Sequence, residues 1–204
     1  MPLLRAPSLE AYSHSCLPSS RIGRHLRTKP LRARGVRAAA SVGDRLPDAS
    51  FSFIDSEGDL RSISTSTLTR GKKVVLFAVP GAFTPICTQR HLPSFVQNSY
   101  ELKRRGVQTI ACIAVNDVFV LKAWKESLRI DEESVLVLSD GNAHFTTAMG
   151  TIMDLRENML GLGLRSRRYS LLAEDGVIKL FNLEDGGAFS RSGAENILRY
   201  LDNR

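Results

Sequence analysis

Cysteine is scarce in this chain: three in 204 residues, at positions 16, 87 and 112. That is too few for a disulfide framework, and the spacing lacks the paired clusters of a zinc site. There is no Cys-x-x-Cys, which excludes a thioredoxin-type disulfide reductase. Long apolar runs are missing as well, and no stretch approaches the roughly 18 residues that a membrane-spanning helix needs. Acids are nearly absent from the first forty residues, where Glu10 stands against Arg5, Arg21, Arg24, Arg27, Lys29, Arg32, Arg34 and Arg37. Twenty of the 28 basic and twenty of the 21 acidic side chains therefore lie from Ser41 onward, and the net charge of +7 belongs to the leader. A neutral body gives nucleic-acid binding no electrostatic support.

Residues 1–40 are rich in Arg and Ser and have no apolar centre. They fit an organellar transit peptide and not a secretory signal. Val36-Arg37-Ala38-Ala39-Ala40 supplies the small residues of a processing site, with the cut expected near Ala38 to Ser41. Plastid and mitochondrial leaders share this composition, and a basic tail on an acidic surface is the plainer reading. Too little apolar surface is present to offset chain entropy, so disorder is expected over 1–40 and a single domain over 41–204.

The body is organised around Pro80-Gly81-Ala82-Phe83-Thr84-Pro85-Ile86-Cys87. The apolar run Val74 to Val79 before it reads as a fully buried strand. Thr84 suits a helix N-cap and Pro85 the first helical position, with a helix expected from Pro85 to about Arg105 on the spacing of Leu92, Phe95, Val96, Tyr100 and Leu102. Cys87 then sits in the first turn, where free N–H groups and the helix dipole favour a thiolate. Its plain alternative is a small buried hydrophobe. His91 follows one turn later, but a metal would need two more ligands and His144 is the other histidine of the body, so no metal is expected.

In order, Phe51 to Ile54 and Leu60 to Ile63 read as a hairpin about Gly58, followed by a short polar turn or helix over Ser64 to Arg70. Gln108 to Val115 is a strand apolar on both faces, with Ile110, Cys112 and Ala114 on one side. Asn116-Asp117 caps a helix to about Leu128, with Phe119, Leu121 and Trp124 as core. Val135 to Leu138 is a third buried strand, and a short helix runs from Phe145 to Met149. Residues 161–168 read as a basic loop. Tyr169 to Ala173 and Val177 to Leu183 form a hairpin through Glu174-Asp175-Gly176, and Ser192 with Glu195 reads as the capping box of a C-terminal helix. Alternating strands and helices, then a hairpin and a helix, indicate one α/β domain with a mixed central sheet flanked by helices, the order of the thioredoxin-like fold.

With Pro80, Thr84 and Cys87 in a Pro-x-x-x-Thr-x-x-Cys run and Arg168-Tyr169-Ser170 opening a strand, residues 41–204 resemble the type II (atypical 2-Cys) peroxiredoxins, close to the plant plastid form. Ile86 and Thr88 depart from the commoner Thr and Ser beside the nucleophile. The resemblance implies a thiol-dependent peroxidase that reduces hydrogen peroxide and alkyl hydroperoxides through a sulfenic acid on Cys87. It implies Arg168 as the guanidinium beside the sulfur, rather than Arg165 or Arg167, and Pro80 as a shield. The Thr84 hydroxyl, one turn before Cys87, can bond the sulfur or the peroxide. Cys112 stands where the branch has its resolving cysteine, although on a buried strand packing is its simplest role. The resemblance further implies no cofactor beyond a thiol co-substrate, with glutaredoxin expected ahead of thioredoxin, a possible homodimer packed through the active-site end, and the chloroplast stroma, the mitochondrial matrix being the alternative.

Two other classes compete. A non-enzymatic redox sensor or holdase could use the same oxidisable Cys87. A cysteine hydrolase on Cys87 and His91 fails on geometry, because residues four apart on one helix both project outward, with no third group to orient the base.

Overall fold

The computed structural model describes residues 38–203, so most of the expected leader, with Cys16, lies outside the described residues. Ala40 already belongs to the body: its N–H donates to the Met149 carbonyl at 2.9 Å, and its side chain packs on the core. The folded unit therefore begins inside the expected 1–40 leader.

In chain order the elements are β1 (Ser50–Ile54), β2 (Leu60–Ser64), α1 (Thr65–Thr69), β3 (Lys73–Val79), a π-helical turn (Cys87–His91), α2 (Leu92–Gln97) and α3 (Ser99–Arg104). Then follow β4 (Thr109–Ala114), α4 (Val118–Ser127), β5 (Leu136–Ser139), α5 (His144–Ala148), β6 (Ile152–Leu155), β7 (Gly163–Ser166), β8 (Tyr169–Glu174), β9 (Val177–Leu183) and α6 (Ala194–Asp202). Seven strands make one mixed sheet in the order β2-β1-β5-β4-β3-β8-β9, parallel through β5, β4 and β3 and antiparallel at both flanks. Among the described residues, no helix is long and apolar enough to cross a membrane.

The pleat of β3 and β4 divides the core. Val75, Phe77, Val79, Ile110, Cys112 and Ala114 face α2, α3, α4 and α6, while Val74, Leu76, Ala78, Ala111 and Ile113 face α1 and α5. Continuous apolar strands of this kind are the sequence mark of a sheet covered on both sides. Phe77 of β3 stacks on Phe95 of α2 with ring centroids 4.0 Å apart, a pairing that adds about 1 kcal/mol beyond burial. The β8–β9 turn needs left-handed backbone, and Asp175 (φ 48°) and Gly176 (φ 76°) supply it.

Four expectations are corrected. The helix from Pro85 to Arg105 is three pieces, because Pro93 has no N–H for the Gln89 carbonyl and its ring would clash there. The chain widens instead into the π-helical turn, closed by the Leu92 N–H on the Cys87 carbonyl, and breaks again at Asn98. Phe119 is 74% exposed rather than core, because the Asp117 cap turns it outward while Leu121 and Trp124 point in. The expected basic loop over 161–168 contains β7, which pairs antiparallel with β6 in a separate two-stranded sheet. The N-cap of α6 is Gly193 without a side-chain bond, since the Ser192 N–H and hydroxyl are both given to Glu184.

Candidate active site

Three consecutive features set the position of Cys87. Strand β3 ends at Val79, Pro80 follows it, and Gly81 to Phe83 turn the chain back, with Phe83 held at φ 60°. The Asn116 side chain accepts from the Ala82 N–H at 3.1 Å and ties that turn to the end of β4. At position 81 a Cβ would lie in ordinary contact with Thr84 Cγ2 at 3.4 Å and Arg165 Nη1 at 3.6 Å. The chain then enters the π-helical turn at Cys87, whose side chain is fully buried on the α2–α4 side of the sheet.

Arg168 reaches the sulfur from the start of β8, the strand paired with β3. It precedes β8 in the same pleat phase as Ser170 and Leu172, and Leu172 lies in the core cluster that contains Cys87. Arg167, one residue out of phase, instead donates to the Glu184 carbonyl at 2.8 Å. Arg165 is spent on the Val115 and Leu162 carbonyls at 2.9 and 2.6 Å. The Arg168 guanidinium is buried and makes three contacts: Nη1 to Cys87 Sγ at 3.4 Å, Nη1 to His91 Nδ1 at 3.1 Å, and Nε to the Ala188 carbonyl at 3.1 Å. Both hydrogens on Nη1 are thus committed, one to sulfur and one to imidazole.

His91 projects inward, contrary to the expectation that it and Cys87 point out. Its Nε2–H donates to the Ser192 carbonyl at 3.0 Å, which leaves Nδ1 to accept from Arg168. The ring sits among Phe77, Phe95 and Phe189 at centroid separations of 5.1, 5.7 and 5.1 Å. Burial and the adjacent Arg168 charge lower its pKa to about 3, so it is neutral across the physiological range. With its acceptor nitrogen filled by a guanidinium, His91 cannot serve as a base. A hydrolase reading therefore fails for a different reason from the one the sequence suggested.

Thr84 occupies the helix start by backbone alone: its carbonyl accepts from Thr88 N–H at 3.0 Å, while its hydroxyl donates to the Gly81 carbonyl at 2.8 Å. The side chain is therefore not the cap. Its hydroxyl lone pairs remain, and those accept rather than donate.

Cys112 lies on β4 between Phe77 and Val137, on the Cys87 side of the sheet. Both thiols are free and buried. Burial, then the neighbouring Cys87, push the Cys112 thiol well above the usual thiol range, with Arg168 opposing only in part, so it stays protonated and weakly nucleophilic in this fold.

Sequence reasoning passed over Glu184, which is fully buried. Burial pushes its pKa up, but donors from the Arg191, Ser190 and Ser192 backbone and the Ser190 hydroxyl outweigh it and bring the pKa to about 2. Leu183-Glu184-Asp185-Gly186-Gly187 reads as a solvated turn, and nothing in that run signals a buried carboxylate.

The Redoxin family model matches residues 41–198. Peroxiredoxin-2E-2, chloroplastic, of Oryza sativa subsp. japonica is 55% identical over 170 residues, covering 83% of this chain and 76% of the relative. Peroxiredoxin-2E, chloroplastic, of Arabidopsis thaliana is 53% identical over 175 residues, covering 85% and 74%. Among solved structures, reduced Prx3 in complex with H2O2 from Vibrio vulnificus is 44% identical with a TM-score of 0.73, covering 79% of this chain and 99% of that one. A buried cysteine at a helix start under a buried arginine, on a thioredoxin-like sheet with relatives of this identity, leaves one assignment: the chain belongs to the peroxiredoxin family of thiol peroxidases.

Proposed function

We propose that this protein reduces hydrogen peroxide and organic hydroperoxides with Cys87 as nucleophile. The observation that carries the reading is the 3.4 Å contact from the Arg168 guanidinium to Cys87 Sγ inside a buried site. A thiolate there is paired with a charge that cannot deprotonate. Sulfur attacks one peroxide oxygen, the S–O bond forms as the O–O bond breaks, and the departing RO⁻ takes a proton to leave as water or alcohol. Cys87 becomes the sulfenic acid. Negative charge moves from sulfur to the leaving oxygen, and Arg168 is the fixed donor beside that path. The Thr84 hydroxyl, whose proton is on Gly81, accepts the peroxide O–H and orients it. Pro80 shields the sulfenic acid.

Two thiols then restore the enzyme: the first displaces water from the sulfenic sulfur as a mixed disulfide, and the second releases Cys87 as a thiol. Since Cys87 is fully buried, a protein reductant reaches it only after the π-helical turn opens locally. The suppressed Cys112 thiol favours direct reduction by glutathione and glutaredoxin over a Cys87–Cys112 disulfide read by thioredoxin. Half-exposed Phe83 (53%) and exposed Phe119 follow adjacent parallel strands, and a homodimer packed through this end would cover them. The chloroplastic names of the relatives and the acid-poor leader support the plastid stroma as location.

The deciding experiment compares peroxide consumption with glutathione–glutaredoxin and with thioredoxin as reductant. Turnover with the first pair sustains the reading, whereas a single stoichiometric oxidation with neither pair recycling it would make the protein a sensor. Incubation with isolated plastids should import the chain and cut it before Ala40. Import by mitochondria alone would overturn the location.

A further inference from the structure

Residues 184–193 pack against His91 and Arg168 beside Cys87, and the reaction as written gives this segment no part. Glu184 opens it. Its Oε1 accepts from the N–H of Ser190 (2.7 Å), Arg191 (2.7 Å) and Ser192 (2.9 Å) and from the Ser192 hydroxyl (2.9 Å), while Oε2 accepts from the Ser190 hydroxyl (2.9 Å). Arg191 Nε stands 3.9 Å away and half exposed, so the neutralising donors are mainly backbone and hydroxyl groups. Three successive N–H groups converging on one oxygen make a concave anion site occupied by the chain's own carboxylate.

The segment presents three groups to His91 and Arg168. The Ser192 carbonyl fixes His91, the Ala188 carbonyl holds Arg168 Nε, and the Phe189 ring lies 5.1 Å from the His91 ring and 5.9 Å from the Arg168 guanidinium carbon. Those anchors decide where Arg168 points. With Nε–H on Ala188 and one Nη1 hydrogen on His91, the planar guanidinium cannot rotate without losing both, and the other Nη1 hydrogen meets the sulfur.

We propose that Glu184 is a positioning residue for peroxide reduction: by clamping the backbone of Ser190 to Ser192 it fixes the Ser192 carbonyl that orients His91 and one end of the loop that carries the Ala188 carbonyl, and so aims Arg168 at Cys87. The inference rests on the reading of Cys87 and Arg168 given above. Support from a distance of two contacts is a recognised way of keeping a reacting constellation within a fraction of an ångström.

The test uses the full chain with Glu184→Gln, which keeps volume and one acceptor oxygen but removes the charge and exchanges the other oxygen for an NH2 donor, alongside Glu184→Asp, which keeps the charge on a shorter arm. Three quantities are read: the second-order rate with hydrogen peroxide, the pH profile of Cys87 alkylation by iodoacetamide resolved by peptide mass spectrometry, and the melting temperature. Glu184→Gln should slow peroxide reduction about tenfold, short of the hundredfold or more that losing a direct donor costs. It should also move the alkylation profile to higher pH, and Glu184→Asp should recover part of both. His91→Phe, which keeps the aromatic packing and removes both nitrogens, should act in the same direction. The double variant with Glu184→Gln should be no slower than the slower single one. Should Glu184→Gln fail to fold, Ser190→Ala, which removes one hydroxyl donor, should give a smaller shift of the same sign. A folded variant with wild-type rate and profile overturns the proposal, as does strict additivity in the double. Wild-type protein without peroxidase activity would instead sink the reading of Cys87 itself.

Discussion

Replacing Arg168 by lysine separates charge from geometry. The ammonium keeps the positive charge but offers one nitrogen where the guanidinium offers a fork, and the native site uses two nitrogens for three acceptors: Cys87 Sγ at 3.4 Å, His91 Nδ1 at 3.1 Å and the Ala188 carbonyl at 3.1 Å. A lysine tip cannot span them, so at least one buried acceptor is left bare at about 1–3 kcal/mol. For a domain of this size each kcal/mol lowers the melting temperature by roughly 2–4 °C, so the variant should melt about 2–12 °C lower while remaining folded. Losing the aimed donor to the transferring charge costs about 2.7–4 kcal/mol of barrier, a rate loss of about 10²–10³. Stopped-flow competition for hydrogen peroxide reads the rate, and calorimetry reads the melting point. If Arg168→Lys reacts within about threefold of wild type, charge alone suffices and the geometric argument is wrong.

His91 and Glu184 make the fold acid-sensitive in one direction. His91 has a folded pKa of about 3 against 6.5 in the open chain, so the unfolded state binds more protons between those values and stability falls as pH drops below about 6.5, by about 1.4 kcal/mol per unit. Glu184, at about 2 against 4.5, adds a loss of the same sign below about pH 4.5. Urea unfolding at pH 7.0, 6.0 and 5.0 (roughly spanning the His91 window) should show the decline in wild type, and His91→Phe should flatten it; an unchanged slope would remove His91 as the cause. Cys112→Ser should keep activity with glutathione and glutaredoxin, because direct thiol attack on the Cys87 sulfenic acid needs no second cysteine. Loss with both reductants would make Cys112 obligatory, and its disulfide would then require the π-helical turn to melt, visible as faster amide exchange over residues 84–96.

Much of this was legible in the sequence because local and global signals agreed. Strands β3 and β4 are apolar on both faces, Asp175-Gly176 can close a tight hairpin, and Asp117 caps α4 as its side chain predicts. Arg168 was singled out by the family resemblance alone; the strand period of two accounts in the structure for its facing Cys87 while Arg167 does not. Pro93 was a visible warning that the Cys87 helix could not run through, and the π-helical turn is its consequence. The short β6 and β7 carry too little apolar pattern to announce themselves. His91 and Glu184 were hidden for a deeper reason. Their roles depend on a loop folding back from the far end of the chain, 101 residues beyond His91 at the Ser192 contact, and no local pattern encodes that.

The most direct test of Cys87 as the peroxide-reducing residue is a one-equivalent oxidation of the full chain, followed by trapping with a sulfenic-acid reagent and peptide mass spectrometry, with Cys87→Ser in parallel. The account predicts that peroxide disappears stoichiometrically with the oxidation mapped to the Cys87 peptide, as a trapped sulfenic acid or a disulfide formed from it, and that Cys87→Ser consumes none. Oxidation mapped to Cys16 or to Cys112 alone, or peroxide turnover surviving in Cys87→Ser, would contradict it.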